Sequence, residues 1–180
     1  QNLDSDNTHG ASVYHTFFRN WARGIRAPFV DPRPGTPSPA PNVDDASQPG
    51  NGPRRCAGCQ DYTYWMSFVG NVLGASGQHS GWVYEQTSWS SGPGIWLLGW
   101  CSGFDITTTI DPRVTDNSFV GHVIRDGNWD WLNSQQSWHN TPATFAIPNS
   151  MYLPNAGVSS PAFWGSNNWP WVDPSTGTTY

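Results

Sequence analysis

Short apolar runs of strand length recur along the chain and predict β-structure. They are TFFRN at residues 16–20, SFVGN at 67–71 and SFVGH at 118–122. Each run begins at a hydroxyl residue, at positions 16, 67 and 118, so each copy lies 51 residues after the one before it. A strand this short cannot bury its apolar face alone and needs neighbours stacked on it. The repeat therefore predicts strands stacked in register, with Phe17, Phe68 and Phe119 in equivalent positions.

Two further segments and a polar ladder extend this pattern. GIWLLGW at residues 94–100 is typical of a buried strand bounded by glycines, and NWDWLN at 128–133 alternates like a half-buried strand. Asn20 and Asn71 follow the first two copies, and we expect their amides to hydrogen-bond across the stack, with His122 in the equivalent place of the third copy. Parallel strands stacked in coils of about 20–30 residues form a parallel β-helix, which is the fold that we predict.

Two segments lack strand patterns. Residues 25–60 hold eight prolines, which interrupt β-ladders, so we expect a long surface loop inserted into the coils of residues 1–147. Such a loop either covers a binding face or contacts another subunit. Residues 148–180 combine aromatic residues with prolines and are expected to form an irregular C-terminal cap over the last coil.

Composition and charge narrow the class of partner. Charged residues are only 12% of the 180, while glycine and proline abound, which favours a single, turn-rich β domain. The net charge is -5, with eight basic residues, so we expect neither a nucleic-acid partner nor a membrane surface. The chain has no run of about 18 apolar residues that could span a bilayer. The N-terminus shows no signal-peptide pattern, so we expect that any signal has been removed or lies outside this sequence.

Three cysteines leave one thiol over if a single disulfide forms. Cys56 and Cys59 have the CxxC spacing of redox sites and of half a zinc site, but no second CxxC follows them. One alternative is a metal or redox site at this pair. The other is a disulfide from Cys101 to either of them, which would tie a loop to the body of the domain and is the simpler interpretation.

Several segments together resemble a known group of proteins. They are DSDNTHG at 4–10, YHTFFRN at 14–20, YWMSFVGNVLG at 64–74, IRDGNWDW at 124–131, LPN at 153–155, PAFWG at 161–165 and WPWVDP at 169–174. The chain resembles the C-terminal portion of uncharacterised bacterial proteins with a pectate-lyase-like right-handed parallel β-helix. The resemblance implies a secreted or cell-surface protein whose partner is a polysaccharide. It also implies further coils before Gln1, or self-association through the ends of the solenoid.

The first residues hold the candidate catalytic groups. Asp4 and Asp6 alternate, so in a strand both carboxylates point the same way, where they could act as acid and base or hold Ca²⁺. His9 is placed to shuttle a proton, and Arg19 or Arg23 to pair with a substrate carboxylate. The alternative is structural, because Asp side chains in a turn often hydrogen-bond to their own backbone.

Twelve tryptophans are more than a core of this size requires. Flat indole faces among polar neighbours suit sugar rings, whose C–H groups stack on aromatic faces. Trp129 and Trp131 would share one strand face, and Trp100 ends an apolar run, so these three are the candidate substrate-binding rings, together with Arg23. The alternative is that the indoles fill gaps between loops and strands.

Three classes of function follow from these observations. The first is a polysaccharide lyase or glycoside hydrolase that acts on an acidic polysaccharide, with Asp4, Asp6, His9 and Arg19 as catalytic residues. The second is a non-catalytic module that binds polysaccharide or builds an extracellular structure or fibre. The third is a metal or redox protein centred on the CxxC. The one cofactor that these assignments suggest is Ca²⁺, held by Asp4 and Asp6.

Overall fold

The computed structural model describes residues 3–5, 10, 12–24, 55–77, 81–87, 93–100, 110–140, 144–147 and 177. Within these residues the regular elements are nine strands and no helix. The strands are β1 (Thr16–Phe18), β2 (Trp21–Ala22), β3 (Arg55–Gln60), β4 (Ser67–Val69), β5 (Val72–Leu73), β6 (Val83–Glu85), β7 (Gly94–Trp100), β8 (Ile124–Asp130) and β9 (Gln135–Trp138). No helix long and apolar enough to cross a membrane occurs in this part of the chain.

Most strands pair in parallel with a strand that is distant in the sequence. The larger sheet has six strands in the order β1-β4-β8-β5-β2, with β9 added antiparallel to β8. Because β8 is long, its first half pairs with β4 and its second half with β5. The smaller sheet has the order β3-β7-β6, and both of its pairings are parallel.

Both sheets contribute side chains to one buried core. Phe68 of β4 stacks on Phe17 of β1, with ring centroids 4.9 Å apart. Phe68 also meets Trp96 of β7 edge-on, at a centroid distance of 5.3 Å. The contact between Phe68 and Trp96 packs the larger sheet against the smaller one.

The prediction of a parallel β-helix is wrong. The described strands form a curled half-barrel sheet of mixed direction and a second, smaller sheet, and no solenoid of repeating coils is present among them. The antiparallel pairing of β9 with β8 sets this arrangement apart from a parallel solenoid. The prediction is correct only locally, because strands 51 residues apart do pair in parallel, with Thr16 opposite Ser67 and Phe17 opposite Phe68.

The third copy of the repeat accounts for part of this error. The Ser118 hydroxyl accepts hydrogen bonds from the backbone N–H groups of Val120 and Gly121, at 3.2 and 3.0 Å, and so stabilises a turn where a strand was predicted. Phe119 is 95% exposed in this turn and does not stack on Phe68. The strand that pairs with β4 is β8, which begins at Ile124.

A ladder of three asparagines crosses the larger sheet. The predicted contact is confirmed, because the Oδ1 atom of Asn71 accepts from the backbone N–H and the side-chain amide of Asn20, at 2.9 and 3.2 Å. Asn128 continues the ladder, since its Oδ1 accepts from the backbone N–H and the side-chain amide of Asn71, both at 2.9 Å. The prediction that His122 takes the third place is therefore wrong. The residues that precede the asparagines share a left-handed backbone, with φ of 54°, 63° and 65° at Arg19, Gly70 and Gly127.

The strand predicted at residues 94–100 is confirmed as β7, and all seven of its residues are buried. The strand predicted at 128–133 is correct only up to Asp130, where β8 ends. The Oδ1 atom of Asp130 accepts from the backbone N–H of Asn133 at 2.7 Å, which stabilises a turn before β9.

The predicted boundary of the proline-rich loop is wrong at its C-terminal end. Residues 55–60 form β3, whose six residues are all buried. Residues 25–54 lie outside the described residues, and so does the predicted cap at 148–180 apart from Gly177. Gly177 lies so close to the indole of Trp129 that no side chain would fit there. Gly177 therefore contacts the larger sheet at Trp129.

Candidate functional site

An exposed row of aromatic rings lies beside the larger sheet. Val13 forms a parallel bridge with Tyr64, which places Tyr14 next to Trp65. The two ring centroids are 6.3 Å apart and the planes differ by 21°, while the ring centroid of His122 lies 6.2 Å from that of Trp65. Tyr14 is 73% exposed and Trp65 is 40% exposed. We call Tyr14, Trp65 and His122 the aromatic row.

The backbone holds two members of the aromatic row in an unfavourable conformation. Tyr14 and Trp65 have φ of 60° and 59°. A left-handed backbone costs a residue with a side chain about 1–2 kcal/mol, whereas glycine adopts it without strain. Strained residues gather at functional sites, where the surrounding structure maintains them. Two equivalent strained positions thus display a pair of stacked, exposed rings.

Tyr64, which precedes Trp65 in the sequence, takes part in a group of residues that holds the guanidinium of Arg113 in place. The Nε and Nη2 atoms of Arg113 donate to the two carboxylate oxygens of Asp111, at 2.8 and 3.1 Å. The guanidinium carbon lies 5.2 Å from the ring centroid of Tyr62 and 5.4 Å from that of Tyr64. Asp111 also accepts from the Tyr62 backbone N–H at 3.2 Å and from the Tyr64 hydroxyl at 3.1 Å. We call these four residues the arginine clamp.

The protonation states of the arginine clamp follow from its contacts. Burial alone would raise the pKa of Asp111, but hydrogen bonds from Arg113 and from the Tyr62 N–H hold this pKa below its ordinary value. Burial and the Asp111 carboxylate raise the pKa of Tyr64 to about 12. At neutral pH, Asp111 is therefore ionised and the Tyr64 hydroxyl keeps the proton that it donates.

A second polar cluster lies between the two sheets. Arg125 of β8 is buried, and its Nη1 atom donates to Glu85 of β6 at 2.8 Å. Its Nε and Nη2 atoms donate to the two oxygens of Asp116, with the Nε bond at 2.8 Å. The guanidinium carbon lies 5.0 Å from the ring centroid of Trp96. The two carboxylates compensate the burial of the Arg125 charge, and removing either one would leave that charge without its partner.

Tyr84 and His139 lie beside the Arg125 cluster. The Tyr84 Oη and His139 Nε2 atoms are 2.6 Å apart, and the two rings stack with centroids at 5.8 Å. The other ring nitrogen of His139, Nδ1, lies 3.7 Å from Asp116. Burial and the nearby Arg125 lower the pKa of His139, while burial raises the pKa of Tyr84. At neutral pH the pair is thus an uncharged imidazole and a protonated phenol within hydrogen-bonding distance.

The predicted catalytic carboxylate Asp4 is paired with an arginine. The Oδ2 atom of Asp4 accepts from Arg55 Nε at 3.0 Å, and the Arg55 guanidinium carbon lies 4.3 Å from the ring centroid of Trp100. Burial raises the pKa of Asp4 against the lowering effect of Arg55. Asp6 and His9 lie outside the described residues. The catalytic roles of Asp4, Asp6 and His9 stay predictions.

Binding of Ca²⁺ by Asp4 and Asp6 stays a prediction, because only Asp4 is among the described residues and its Oδ2 already pairs with Arg55. A carboxylate oxygen that accepts from a guanidinium is held by a competing cation. Among the described residues, no group of three or more His, Cys, Asp or Glu side chains could hold a metal ion.

Arg19 and Arg23, predicted to pair with a substrate carboxylate, are both half-buried. Arg19 occupies a left-handed turn, where its backbone N–H donates to the carbonyl of Val69 at 3.1 Å. Its guanidinium carbon lies 5.4 Å from the ring centroid of Phe18. Arg23 follows β2 directly. Their contact with a ligand stays a prediction.

The three predicted substrate-binding tryptophans lie at packed positions. Trp100 is buried beneath the Arg55 guanidinium. Trp129 and Trp131 contact each other edge to face, with ring centroids 5.7 Å apart, and Trp129 also packs against Gly177. Their role in binding stays a prediction, and the exposed aromatic row is a more accessible surface for a ligand.

Cys56 and Cys59 are buried in β3 and both carry free thiols. The disulfide expected from the sequence is therefore absent at both residues, while Cys101 lies outside the described residues. Residues three apart on a strand face opposite sides of a sheet, so the two thiols do not converge on one site. Burial raises the pKa of both thiols, to about 12 for Cys59, which opposes thiolate chemistry.

The sequence reasoning missed the aromatic row and the arginine clamp. A signal for the row was present, because Tyr14 and Trp65 are 51 residues apart and extend the repeat toward the N-terminus. Asp111 and Arg113 are close in the sequence, but nothing in their spacing indicates that two tyrosines from a distant segment complete the clamp.

No protein-family model matches this chain, and the searches of curated proteins and of solved structures found no match. The function is therefore argued from the geometry of the described residues.

Proposed function

We propose that this protein binds a polysaccharide along the aromatic row. The proposal rests on one observation, the exposed and stacked pair of Tyr14 and Trp65 on a strained backbone. One face of a sugar ring carries C–H groups that pack on an aromatic ring, while its hydroxyls bond to polar groups at the rim. The ring of His122, whose centroid lies 6.2 Å from that of Trp65, enlarges the aromatic surface that a sugar chain could contact.

Other ligands with flat or apolar faces fit the aromatic row less well. Nucleobases also stack on aromatic rings, but tight binding of a nucleic acid requires a cationic groove for its phosphates. The chain has a net charge of -5 and only eight basic residues, which disfavours that class. A polymer with uncharged hydroxyls has no such requirement.

Two expectations accompany this proposal. A secreted or cell-surface location suits a protein that meets structural polysaccharides outside the cell. A relationship to the bacterial pectate-lyase-like proteins rests on the sequence segments alone and remains a proposal.

Replacing Trp65 by alanine tests the aromatic row. Trp21 is the matched control, because it is also 40% exposed but lies on β2, where its Nε1 donates to the Gly74 carbonyl at 2.8 Å. Loss of one stacking ring costs about 0.5–1.5 kcal/mol, so we expect W65A to weaken polysaccharide binding about twofold to tenfold. Affinity electrophoresis in gels that contain different soluble polysaccharides gives the affinity and shows which polymers retard the protein.

The comparison of variants decides the proposal. We expect W21A to bind like the wild type and W65F, which keeps a flat ring, to lie between the wild type and W65A. Equal binding by W65A and the wild type, or an equal loss in W21A and W65A, would refute the aromatic row as the binding surface.

A second candidate function is proton-transfer catalysis on a bound sugar chain. The observation that favours it is the 2.6 Å contact between the Tyr84 hydroxyl and His139 Nε2, a proton donor and a base within hydrogen-bonding distance. Incubation with a polysaccharide should then produce new chain ends, measured as reducing sugar, and Y84F should abolish them. Turnover that persists in Y84F would exclude this pair, and wild-type protein that binds a polymer without producing ends would leave binding as the function.

A further inference from the structure

We propose that Arg113 makes the aromatic row selective for polysaccharides that carry anionic groups, either carboxylates or sulfate esters. This inference rests on the proposed function and names the ligand chemistry of the same surface. It assigns to Arg113 the role that the sequence suggested for Arg19 or Arg23.

The hydrogen bonds of Arg113 leave one side of its guanidinium available. Nε and Nη2 form the two bonds to Asp111, so the two N–H groups on Nη1 point away from that carboxylate. The Arg113 side chain is 46% exposed, whereas the Asp111 side chain is 5% exposed. A ligand that approaches from solvent therefore meets the positive end of this ion pair first.

The arginine clamp also fixes Arg113 before a ligand arrives. Tyr62 and Tyr64 lie against the guanidinium, and both of them also donate hydrogen bonds to Asp111. A free arginine side chain loses rotamer freedom when it binds a ligand, and a side chain that is already fixed loses less. The clamp thus presents a planar, preorganised donor to an anionic group.

Arg113 contacts residues that are adjacent in the sequence to two members of the aromatic row. Tyr64 precedes Trp65 directly, and Gly121 precedes His122. A side chain at Gly121 would collide with the Tyr64 ring and with the Arg113 carbonyl, which shows how closely these three residues pack. A sugar chain on the row would therefore lie near the clamp.

Two of the other described arginines, Arg55 and Arg125, are less suited to this role. Arg55 and Arg125 have side chains that are almost fully buried, in ion pairs with Asp4 and with Asp116 and Glu85. With a net charge of -5, the chain as a whole does not attract anionic polymers. Selectivity for them has to come from a local cation.

The experiment compares polymers that differ only in charge. Polygalacturonate and its methyl ester test a carboxylate, and dextran sulfate and dextran test a sulfate, each by affinity electrophoresis. We expect the wild type to bind at least one charged polymer about tenfold more tightly than its neutral partner, a preference that weakens with added salt. R113Q should bind both members of that pair equally, by losing affinity for the charged polymer alone. R113K, the matched control, keeps the positive charge and should retain more of the preference than R113Q.

Several outcomes would overturn the inference and can be told apart from a failure of the proposed function. Equal binding of charged and neutral polymers by the wild type, or an unchanged preference in R113Q, refutes the role of Arg113 while polysaccharide binding stands. Failure of the wild type to bind any of the four polymers refutes both. If R113Q does not fold, the NMR signal of the Arg113 Nε–H group decides, because it should shift with a galacturonate or sulfated oligosaccharide and stay unchanged with the neutral one. A signal that stays unchanged with both charged oligosaccharides refutes the inference.

Discussion

Replacement of Asn71 by alanine should cause a large loss of stability. Asn71 is fully buried at the centre of the asparagine ladder. Its Nδ2 donates to the Phe17 carbonyl and to Asn128 Oδ1, both at 2.9 Å, and its Oδ1 accepts from the backbone N–H and the Nδ2 of Asn20, at 2.9 and 3.2 Å. A buried hydrogen bond contributes about 1 kcal/mol net, so loss of these four should lower the free energy of unfolding by about 3–4 kcal/mol.

Asn20 provides the matched control for this prediction. It lies at the half-buried end of the ladder, where its side chain makes longer bonds, at 3.3 Å to the Phe18 carbonyl and 3.2 Å to Asn71. In N20A the backbone N–H of residue 20 keeps its acceptor on Asn71. We expect N20A to cost about 0.5–1 kcal/mol, several times less than N71A.

Equilibrium unfolding in urea, followed by far-ultraviolet circular dichroism, measures both free energies. N71D adds a second comparison, because an aspartate keeps the acceptor for Asn20 but faces Asn128 Oδ1 and the Phe17 carbonyl with an oxygen. We expect N71D to be at least as destabilised as N71A. A cost for N71A within about 1 kcal/mol of that for N20A would refute the view that the ladder holds the larger sheet together.

Two further predictions concern single positions. R19G should raise the free energy of unfolding by about 0.5–1 kcal/mol. The reason is that Arg19 has a φ of 54°, and the equivalent residues of the next two strands are Gly70 and Gly127. A lower urea midpoint for R19G than for the wild type would contradict this prediction. The pKa of His139 is lowered in the folded protein, so on acidification the unfolded chain takes up this proton first. The free energy of unfolding contributed by the neutral imidazole should be fully present above pH 6.5. It should be lost as the pH falls from 6.5 toward the pKa of His139 in the folded protein. H139Q should lack this part of the pH dependence of the urea midpoint.

The incorrect prediction for the third copy of the repeat shows which residues determine how the strands pair. SFVG recurs letter for letter at residues 67–70 and 118–121, yet the segment that pairs with FVGNVL at 68–73 is RDGNWD at 125–130. The two paired segments share only a glycine followed by an asparagine. Glycine supplies the left-handed turn and asparagine the amide that bonds to both neighbours in the ladder, and His122 lacks that amide.

The side-chain clusters around Arg125 and His139 were harder to predict, because their members lie in segments that do not recur at a fixed spacing in the sequence. Arg125 meets Glu85 and Asp116, which are 40 and 9 residues away, and His139 meets Tyr84 across 55 residues. Side-chain contacts of this kind depend on how the two sheets pack, and hydrophobic periodicity does not encode that packing. The aromatic row was within reach of the sequence, because Tyr14 and Trp65 follow the same period as the strands.

The antiparallel strand β9 has a consequence for the behaviour of the folded protein at high concentration. A stack of parallel strands can recruit another chain at its last member, since that strand offers unpaired N–H and C=O groups in the right order. Here β9 reverses direction on β8, its register shifts between Asp126 and Asn128, and the Gln136 side chain bonds to the Gly127 carbonyl at 3.1 Å. Among the described residues, the larger sheet ends on this side in a short, irregular edge that is a poor template for intermolecular strand addition.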